Sequence, residues 1–313
     1  MNQYLLLKKI DVQNANAISG LTYGFPAITN FLGFAHALSR KLGEQTTASL
    51  GGVLVVSHKN TVHARQPKGW GDYVFALTRN PLTKEGNTAP INEEGRMNLQ
   101  VSLLIEVKGL VAGDRQATEQ LVESVNTIAP TLRLAGGQVI NIERTELSVA
   151  GEDYRVLRSL MPGSVLIDRS EYLAEHYQKL KNSNEEASLF DAWVDFAKFK
   201  YKAEALEDDP TKANWHYVKK PQGGYLVPIM AGFKAISPLY KPGEVEKVRD
   251  TNVPVCFAEA AYSVGEWLSP HRISHIEEAI WRYQYQHPWY LAKAKPLVES
   301  VLTPDFDEQP ADF

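Results

Sequence analysis

NLQVSLLIEV at residues 98–107, followed by DRQATEQLVESVNTI at residues 114–128, changes from the pattern of a strand to that of a helix across one short link. The first run is rich in β-branched and long apolar residues and predicts a strand. In the second, Ala117, Leu121, Val125 and Ile128 fall on one stripe at helical spacing, with Asp114 placed to cap the first turn. Working outward, GVLVVSH (52–58) and YVFALT (73–78) predict strands, as do YLLLKKIDV (4–12) and QVINIERTEL (138–147). Residues 26–41 predict a helix. Ile28, Phe31, Leu32, Ala35 and Leu38 share a face there, Pro26 suits the first turn and Gly43 the stop. The order is strand, helix, two or more strands, helix, strand, which predicts an α+β fold of the ferredoxin-like kind also used by RNA-recognition domains. Residues 60–96 are too long and too rich in Gly, Pro, Asn and charge for a simple turn, and predict an inserted ribbon or loop projecting from the sheet.

The chain divides at this level into a ferredoxin-like region, 1–150, and an irregular α/β region, 151–313, with a helical insertion at about 165–206. In the second region helices are expected at 170–182 and 188–205, with a break at 207–211. Strands are expected at 215–218, 225–231 and 255–258, and a last helix at 271–286 after Ser269-Pro270. No repeat of fixed period is present.

Of 313 residues, 44% are hydrophobic and 22% charged, an ordinary globular balance. One cysteine, Cys256, excludes an internal disulfide and a multi-cysteine zinc site, in keeping with a reducing cytoplasm. The short apolar run at the N-terminus, with lysines after it, matches neither a signal peptide nor a membrane span. The net charge of −4 speaks against a surface that coats nucleic acid throughout. Its distribution is uneven. Residues 1–82 carry Lys8, Lys9, Arg40, Lys41, Lys59, Arg65, Lys68 and Arg79 against Asp11, Glu44 and Asp72. The last stretch carries Glu299, Asp305, Asp307, Glu308 and Asp312 with no base. A basic N-terminal part suits a phosphate backbone, although unevenness on a solvated surface gives the same count.

Walker A, G-x-S-x-G, H-E-x-x-H and C-x-x-C motifs are all missing. His271 and His275 stand four apart on the expected last helix, a spacing for one metal, but no third ligand accompanies them. Neither a metal nor a cofactor is expected. His58 and His63 lie in the basic part, where either could take a proton from a ribose hydroxyl or donate a hydrogen bond to phosphate. Glu93 and Glu94 are adjacent on an extended segment, so only one can face a given ion; a salt-bridged loop fits them better.

Binding features are richer. QNANAISGLT (13–22) is polar and small; Asn14 and Asn16 alternate there and can pair with bases or sugars, or form an Asx-turn. Arg79 and Asn80 end a strand before Pro81. Arg133 precedes Gly136 and Gly137, which either admit a ribose–phosphate backbone or make a tight turn. Trp70, Tyr73 and Phe75 interleave with Arg65, Lys68 and Arg79, as in single-strand sites, though a strand core uses aromatics too. Trp267 with His271 and Arg272 is a second such cluster, or a packing staple.

Several of these runs together resemble one family. QNANAIS and TYGFPAITNFLGFAHALSRKLG are similar to the start of the 5′-handle-binding subunit of the type I-F (Csy) CRISPR surveillance complex, of the repeat-associated superfamily. LTRNPL (77–82), EEGR (93–96), LRLAGG (132–137), GYLVPIMAGFKAISPLYKPGEV (224–245) and GEWLSPHR (265–272) follow in order, while residues 151–222 depart from the pattern. The resemblance implies an RNA-recognition-like fold with a thumb-like insert and a non-catalytic role in antiviral defence. The subunit would grip the 5′ handle of the guide RNA, pair with the large subunit and cap the backbone subunits. Target DNA is a further candidate contact, and a separate endonuclease would process the guide. Among the motif positions, the expected RNA-binding residues are Asn14, Asn16, Arg79, Asn80, Arg96, Arg133, Gly136, Gly137 and Arg272. Two rivals remain at this level: a metal-independent RNA endonuclease of the same superfamily using His58 or His63, and a subunit that binds proteins alone.

Overall fold

In the first strand, β1 (Gln3–Asn16), the apolar spacing steps from two to three at Lys8-Lys9 and again at Gln13-Asn14. Even so, Leu5, Leu7, Ile10, Val12 and Ala15 all lie in one buried cluster. Each step is a β-bulge. Pairing with the neighbouring strand jumps from Leu7↔Leu103 to Ile10↔Val101, and from Val12↔Leu99 to Ala15↔Met97. The second residue of each bulge is left-handed, Lys9 at φ 46° and Asn14 at φ 54°. Its N–H donates to a side chain across the gap, to Ser102 Oγ at 2.9 Å and to Asn98 Oδ1 at 3.2 Å. One extra residue per bulge keeps the same face turned inward.

The computed structural model describes residues 3–43, 46–148, 151–206 and 211–294. The acidic stretch from Glu299 lies outside them, as does most of the expected break at 207–211. After β1 come the short pair β2 (Ile18–Ser19) and β3 (Thr22–Tyr23), then α1 (Ile28–Leu42) and β4 (Ser49–Val62). A separate three-stranded ribbon follows: β5 (Ala64–Arg65), β6 (Val74–Arg79) and β7 (Ile91–Glu94). β8 (Arg96–Lys108), α2 (Arg115–Ile128), β9 (Arg133–Leu134) and β10 (Gly137–Ser148) complete the first part. Asp114 caps α2 as the sequence suggests, its carboxylate accepting from Ala117 N at 2.9 Å.

The second part holds α3 (Asp153–Ser159), β11 (Ser164–Asp168), α4 (Ser170–Ser183), α5 (Leu189–Ala197), β12 (Lys200–Ala205), β13 (Ala213–Val218), β14 (Leu226–Ala235) and β15 (Ala258–Leu268). It ends in two 3₁₀ turns, Pro270–Arg272 and Ile276–Ala279, with β16 (Arg282–Gln286) and β17 (Trp289–Lys293). Three expectations are corrected here. The helix expected over 271–286 is these two turns and a strand. The helix expected over 188–205 stops at Ala197 and gives way to β12. The strand expected at 255–258 starts only at Ala258, with Val255 in an isolated bridge to Tyr240.

The fold is mixed α and β around one mostly antiparallel sheet of ten strands, in the order β16-β17-β14-β15-β11-β4-β8-β1-β10-β9. Strands from both sides of residue 150 therefore share a sheet. One face of its first half packs on α1 and α2 through Phe31, Leu38, Leu121 and Val125. The other carries Tyr4, Leu6, Leu54 and Leu104 against Val156, Leu157, Ile273 and Ile276. A third cluster sets Trp193 and Phe196 of α5 on Leu226 and Val264.

The outer edge of β4 is used twice. Val56 and Ser57 pair with β11, while Val53 bridges to Trp281. β4, β11, β15, β14, β17 and β16 thus curl round to meet again. Trp281 is fully buried at the join, and its indole N–H donates to Leu166 O at 2.9 Å.

Candidate nucleic-acid interface

The register of β1 against β10 brings the two glycine- and asparagine-bearing motifs to one end of the sheet, pairing Gln13 with Gln138. Ala135 (φ 50°) and Gly136 (φ 76°) join β9 to β10. Two left-handed central residues make a two-residue primed turn, closed by the pair Leu134↔Gly137. Gly136 faces open space. Gly137 does not: a Cβ there would stand 2.6 Å from Gln13 O and 2.7 Å from Ala15 N. Its missing side chain lets β10 approach the bulge of β1.

Asn16 donates its N–H to Ala135 O at 2.8 Å. Its side chain is engaged in both directions with Ile18, donating to the carbonyl at 2.8 Å and accepting from the N–H at 3.0 Å. That is the Asx-type turn, with one amide hydrogen and one lone pair left for another partner. Asn14 sits on the bulge, exposed, with its backbone shaped by Asn98. Asn tolerates the left-handed conformation better than most residues, which accounts for its place here. Arg96, the β8 partner of Asn16, grips Glu94 through Nε and Nη2 at 3.0 and 2.8 Å and reaches Asn14 O at 3.5 Å. Its charge is therefore largely matched. Arg133 is exposed on β9 opposite Gln138.

Asn14, Asn16, Arg96, Arg133, Gly136 and Gly137 thus gather at one sheet end. Arg79 and Asn80 do not join them directly. In the ribbon, pairing runs from Ala76↔Glu94 out to Arg79↔Ile91, so Arg79 lies three residues, about 10 Å, beyond the ribbon's base. Arg272 lies on a 3₁₀ turn next to Ile273, which packs on the opposite face of the sheet. Gln13, from the polar run 13–22, belongs to the polar end too, as do Asn98 and Gln138, which single-strand patterning gave no reason to choose. Their signal is the cross-strand register.

The ribbon's base is anchored: Phe75 meets Tyr23 edge-on at 5.6 Å, and a Cβ on Gly95 would strike Ile18 at 2.7 Å. Farther out, Trp70 and Tyr73 are 71% and 69% exposed, with the Lys68 ammonium 5.6 Å from the Trp70 ring. Stacking surface and positive charge are therefore presented together. Glu93 and Glu94 point to opposite sides; one accepts from Phe75 N at 3.4 Å while the other holds Arg96. Trp267 packs edge-on against Phe25 at 4.9 Å, within β15 rather than at a helix start.

His58 is half-buried and both ring nitrogens are occupied, Nδ1 with Pro162 O and Nε2 with Ser102 Oγ, each at 2.7 Å. A carbonyl can only accept, so Nδ1 carries the hydrogen and Nε2 accepts from the serine. Burial, against the hydrogen bond to Pro162, pulls its pKa below the ordinary 6.5; Lys9 and Lys8 add to the depression. His271 bonds Ser269 Oγ at 2.8 Å and His275 lies 3.9 Å from Asp153, on separate turns and not on one helical face. Among the described residues no group of three or more His, Cys, Asp or Glu is placed to hold a metal ion. No helix there is long and apolar enough to cross a membrane.

Comparison with known proteins agrees with the motifs. A family model described as CRISPR-associated protein (Cas_Csy2) matches residues 5–292. The CRISPR-associated protein Csy2 of Pseudomonas aeruginosa (strain UCBPP-PA14) is 40% identical over 304 residues, covering 91% of this chain and 92% of that protein. With the match running through nearly the whole sheet, the chain belongs to the Csy2 family of CRISPR-associated proteins.

Proposed function

We propose that this chain is a non-catalytic subunit of a type I-F CRISPR surveillance complex, acting in antiviral defence in the cytoplasm. It binds the 5′ handle of the guide RNA at the sheet end formed by β1, β9 and β10, and it pairs with the large subunit to cap the backbone filament. The observation that carries this reading is the convergence of Asn14, Asn16, Arg96 and Arg133 around one primed turn, in a chain of the Csy2 family. Exposed asparagine amides and main-chain groups suit the edges of splayed bases, and Arg133 suits a phosphate. The spatial order β10-β1-β8-β4, with α1 and α2 on one face, supports a ferredoxin-like core, and the β5–β7 ribbon supports a thumb-like insert that parts handle from guide. The engagement of both His58 nitrogens speaks against His58 as a general base, which needs a free lone pair facing its substrate.

Photo-crosslinking of the assembled complex tests this directly. Handle nucleotides are expected on peptides from β1 and the β9–β10 turn, with the 5′ end protected from nuclease. Crosslinks confined to other subunits, or cleavage of unprocessed repeat RNA by the purified chain, would refute it.

A further inference from the structure

On the sheet face turned away from α1 and α2, two rows of polar side chains run across the strands. The first passes from Arg133 on β9 to Gln138 on β10 and Gln13 on β1, then to Asn98 on β8 and Thr61 on β4. Asn98 faces the Gln13–Asn14 bulge, where its Oδ1 accepts from Asn14 N at 3.2 Å. The second row is Asn141, Asp11, Gln100 and Lys59. Their strand neighbours Val12, Leu99, Val101 and Val139 lie in the core cluster beneath, so these side chains point the other way. All five residues of the first row are exposed, as are Asn141 and Lys59 in the second. The groups that cover this face, Val156, Leu157, Ile273 and Ile276, sit at its far end over Tyr4, Leu6, Leu54 and Leu104.

A solvated sheet face asks only for good strand formers such as threonine. Here Asn98 and Asn141 stand inside strands, where asparagine is depleted, and Gln13 and Gln138 add two further amides. The side chains of Gln13, Gln138 and Asn141 have no partner among the described residues, and neither does the Asn98 amide nitrogen. Amide donors and acceptors are thus left open along the strip. The one acid in the rows, Asp11, accepts from Gln100 Nε2 at 2.8 Å. Arg133 and Lys59 form no ion pair among the described residues. They stand at opposite ends, four strand spacings or about 19 Å apart.

We propose that this strip reads the base order of single-stranded RNA, which leaves the primed turn at Arg133 and crosses the sheet toward Lys59. The amides of Gln138, Gln13, Asn98 and Asn141 meet base edges, and the two cations hold phosphates at either end. The inference rests on the handle reading above and gives it a path and a specificity. Two observations favour RNA over a protein partner. The rows hold no apolar side chain, whereas the core of a protein interface is apolar and aromatic. Their unmatched charge is positive at both ends, while the acids at the margin, Glu143 and Glu146, are matched by Lys8, Lys9 and Arg144. With no ring to stack on, the strip recognises bases by their edges, so their order matters.

The test titrates the full chain with a synthetic 5′-handle RNA and with an oligomer of the same composition in shuffled order. Gln138→Thr/Asn141→Thr is expected to keep or raise the thermal midpoint, because threonine is the better strand former. Its handle affinity should nevertheless fall at least about fivefold, and its preference for the native order should narrow. Lys59→Gln should reduce the slope of log affinity against log salt by about 0.7, one phosphate contact on a single strand. Unchanged affinity and preference in the threonine pair, or an unchanged slope for Lys59→Gln, overturns the proposal. Variants that bind RNA as wild type does but drop out of the assembled complex overturn it in favour of a protein partner. A loss seen with Arg133→Ala and with neither strip variant removes the strip and keeps the handle reading. Failure of the wild-type chain to bind either RNA removes both.

Discussion

Trp281 and Val53 exchange both of their backbone hydrogen bonds, each at 2.9 Å. The exchange fastens the last part of the sheet to the edge of β4, next to Gly52, whose N–H donates to Glu106 Oε2 at 2.7 Å. Arg282, one residue on, completes the join by bonding Glu106 and Glu277.

Trp281→Phe is expected to lower stability by about 2 kcal/mol, since it removes the donor to Leu166 O and leaves unfilled space at a fully buried position. Gly52→Ala should cost a similar amount, about 1–3 kcal/mol, because its Cβ would stand 2.6 Å from Ile280 and 2.7 Å from Glu106 and Arg282. Urea titrations at fixed pH measure both; an unchanged midpoint for either variant would remove the join from the account.

The two glycines of the primed turn should respond differently. Gly136→Asn is expected to change stability by under about 1 kcal/mol, because the site is open and asparagine tolerates a positive φ. Gly137→Ala should cost more, about 1–3 kcal/mol, by pressing on the backbone of Gln13 and Ala15. It should also weaken handle RNA binding, since it moves Asn14 and Asn16. Thermal midpoints and filter binding on the same samples separate the two effects.

Salt dependence should rank the arginines. Arg133→Ala is expected to reduce the slope of log affinity against log salt by about 0.7, the share of one phosphate contact on a single strand. Adding Arg79→Ala should remove a further similar share. Arg96→Ala should change the slope less, because Glu94 already matches its charge. Equal slopes for wild type and the Arg79/Arg133 double variant would strike both residues from the site.

Protonation of His58 should destabilise the fold. Its folded pKa lies below the unfolded 6.5, so the unfolded chain takes up the proton first as pH falls. Stability is fully present above about pH 6.5 and declines below it until the depressed folded pKa is passed. The groups facing the ring are Ser102, Pro162, Lys8, Lys9 and Glu143. His58→Gln should flatten this part of the pH profile, measured as urea midpoints at pH 7.5 and 5.5 (about two points either side of the transition). A variant as acid-sensitive as wild type would assign the slope to other groups.

Much of the first part was legible because its strongest strand alternates without interruption. Met97, Leu99, Val101, Leu103, Ile105 and Val107 all face one core cluster. β1 was harder, since its two bulges hide a strict inward face behind a changing period. The last expected helix failed for an informative reason. Ile273, Ile276 and Ile280 have helical spacing, but here Ile276 starts a 3₁₀ turn while Ile273 and Ile280 directly follow such turns, and all three side chains fill the second core cluster. Beyond Ala197, alternation of Phe199, Tyr201 and Ala203 with Lys200 and Lys202 is a strand period that the preceding helix masked. Within the site, residue types were legible and neighbours were not. Asn16 meets Ala135 only through pairing of segments more than a hundred residues apart, and no local pattern encodes that register.

Synthesis order gives the Val53–Trp281 join a further meaning. β4 leaves the ribosome more than two hundred residues before β16, so the stretch of its outer edge at Val53, which β11 does not reach, stays unpaired through most of translation. A nascent chain halted before residue 281 therefore presents an unpaired stretch of strand to its neighbours, and Trp281 acts as the clasp that ends this exposure.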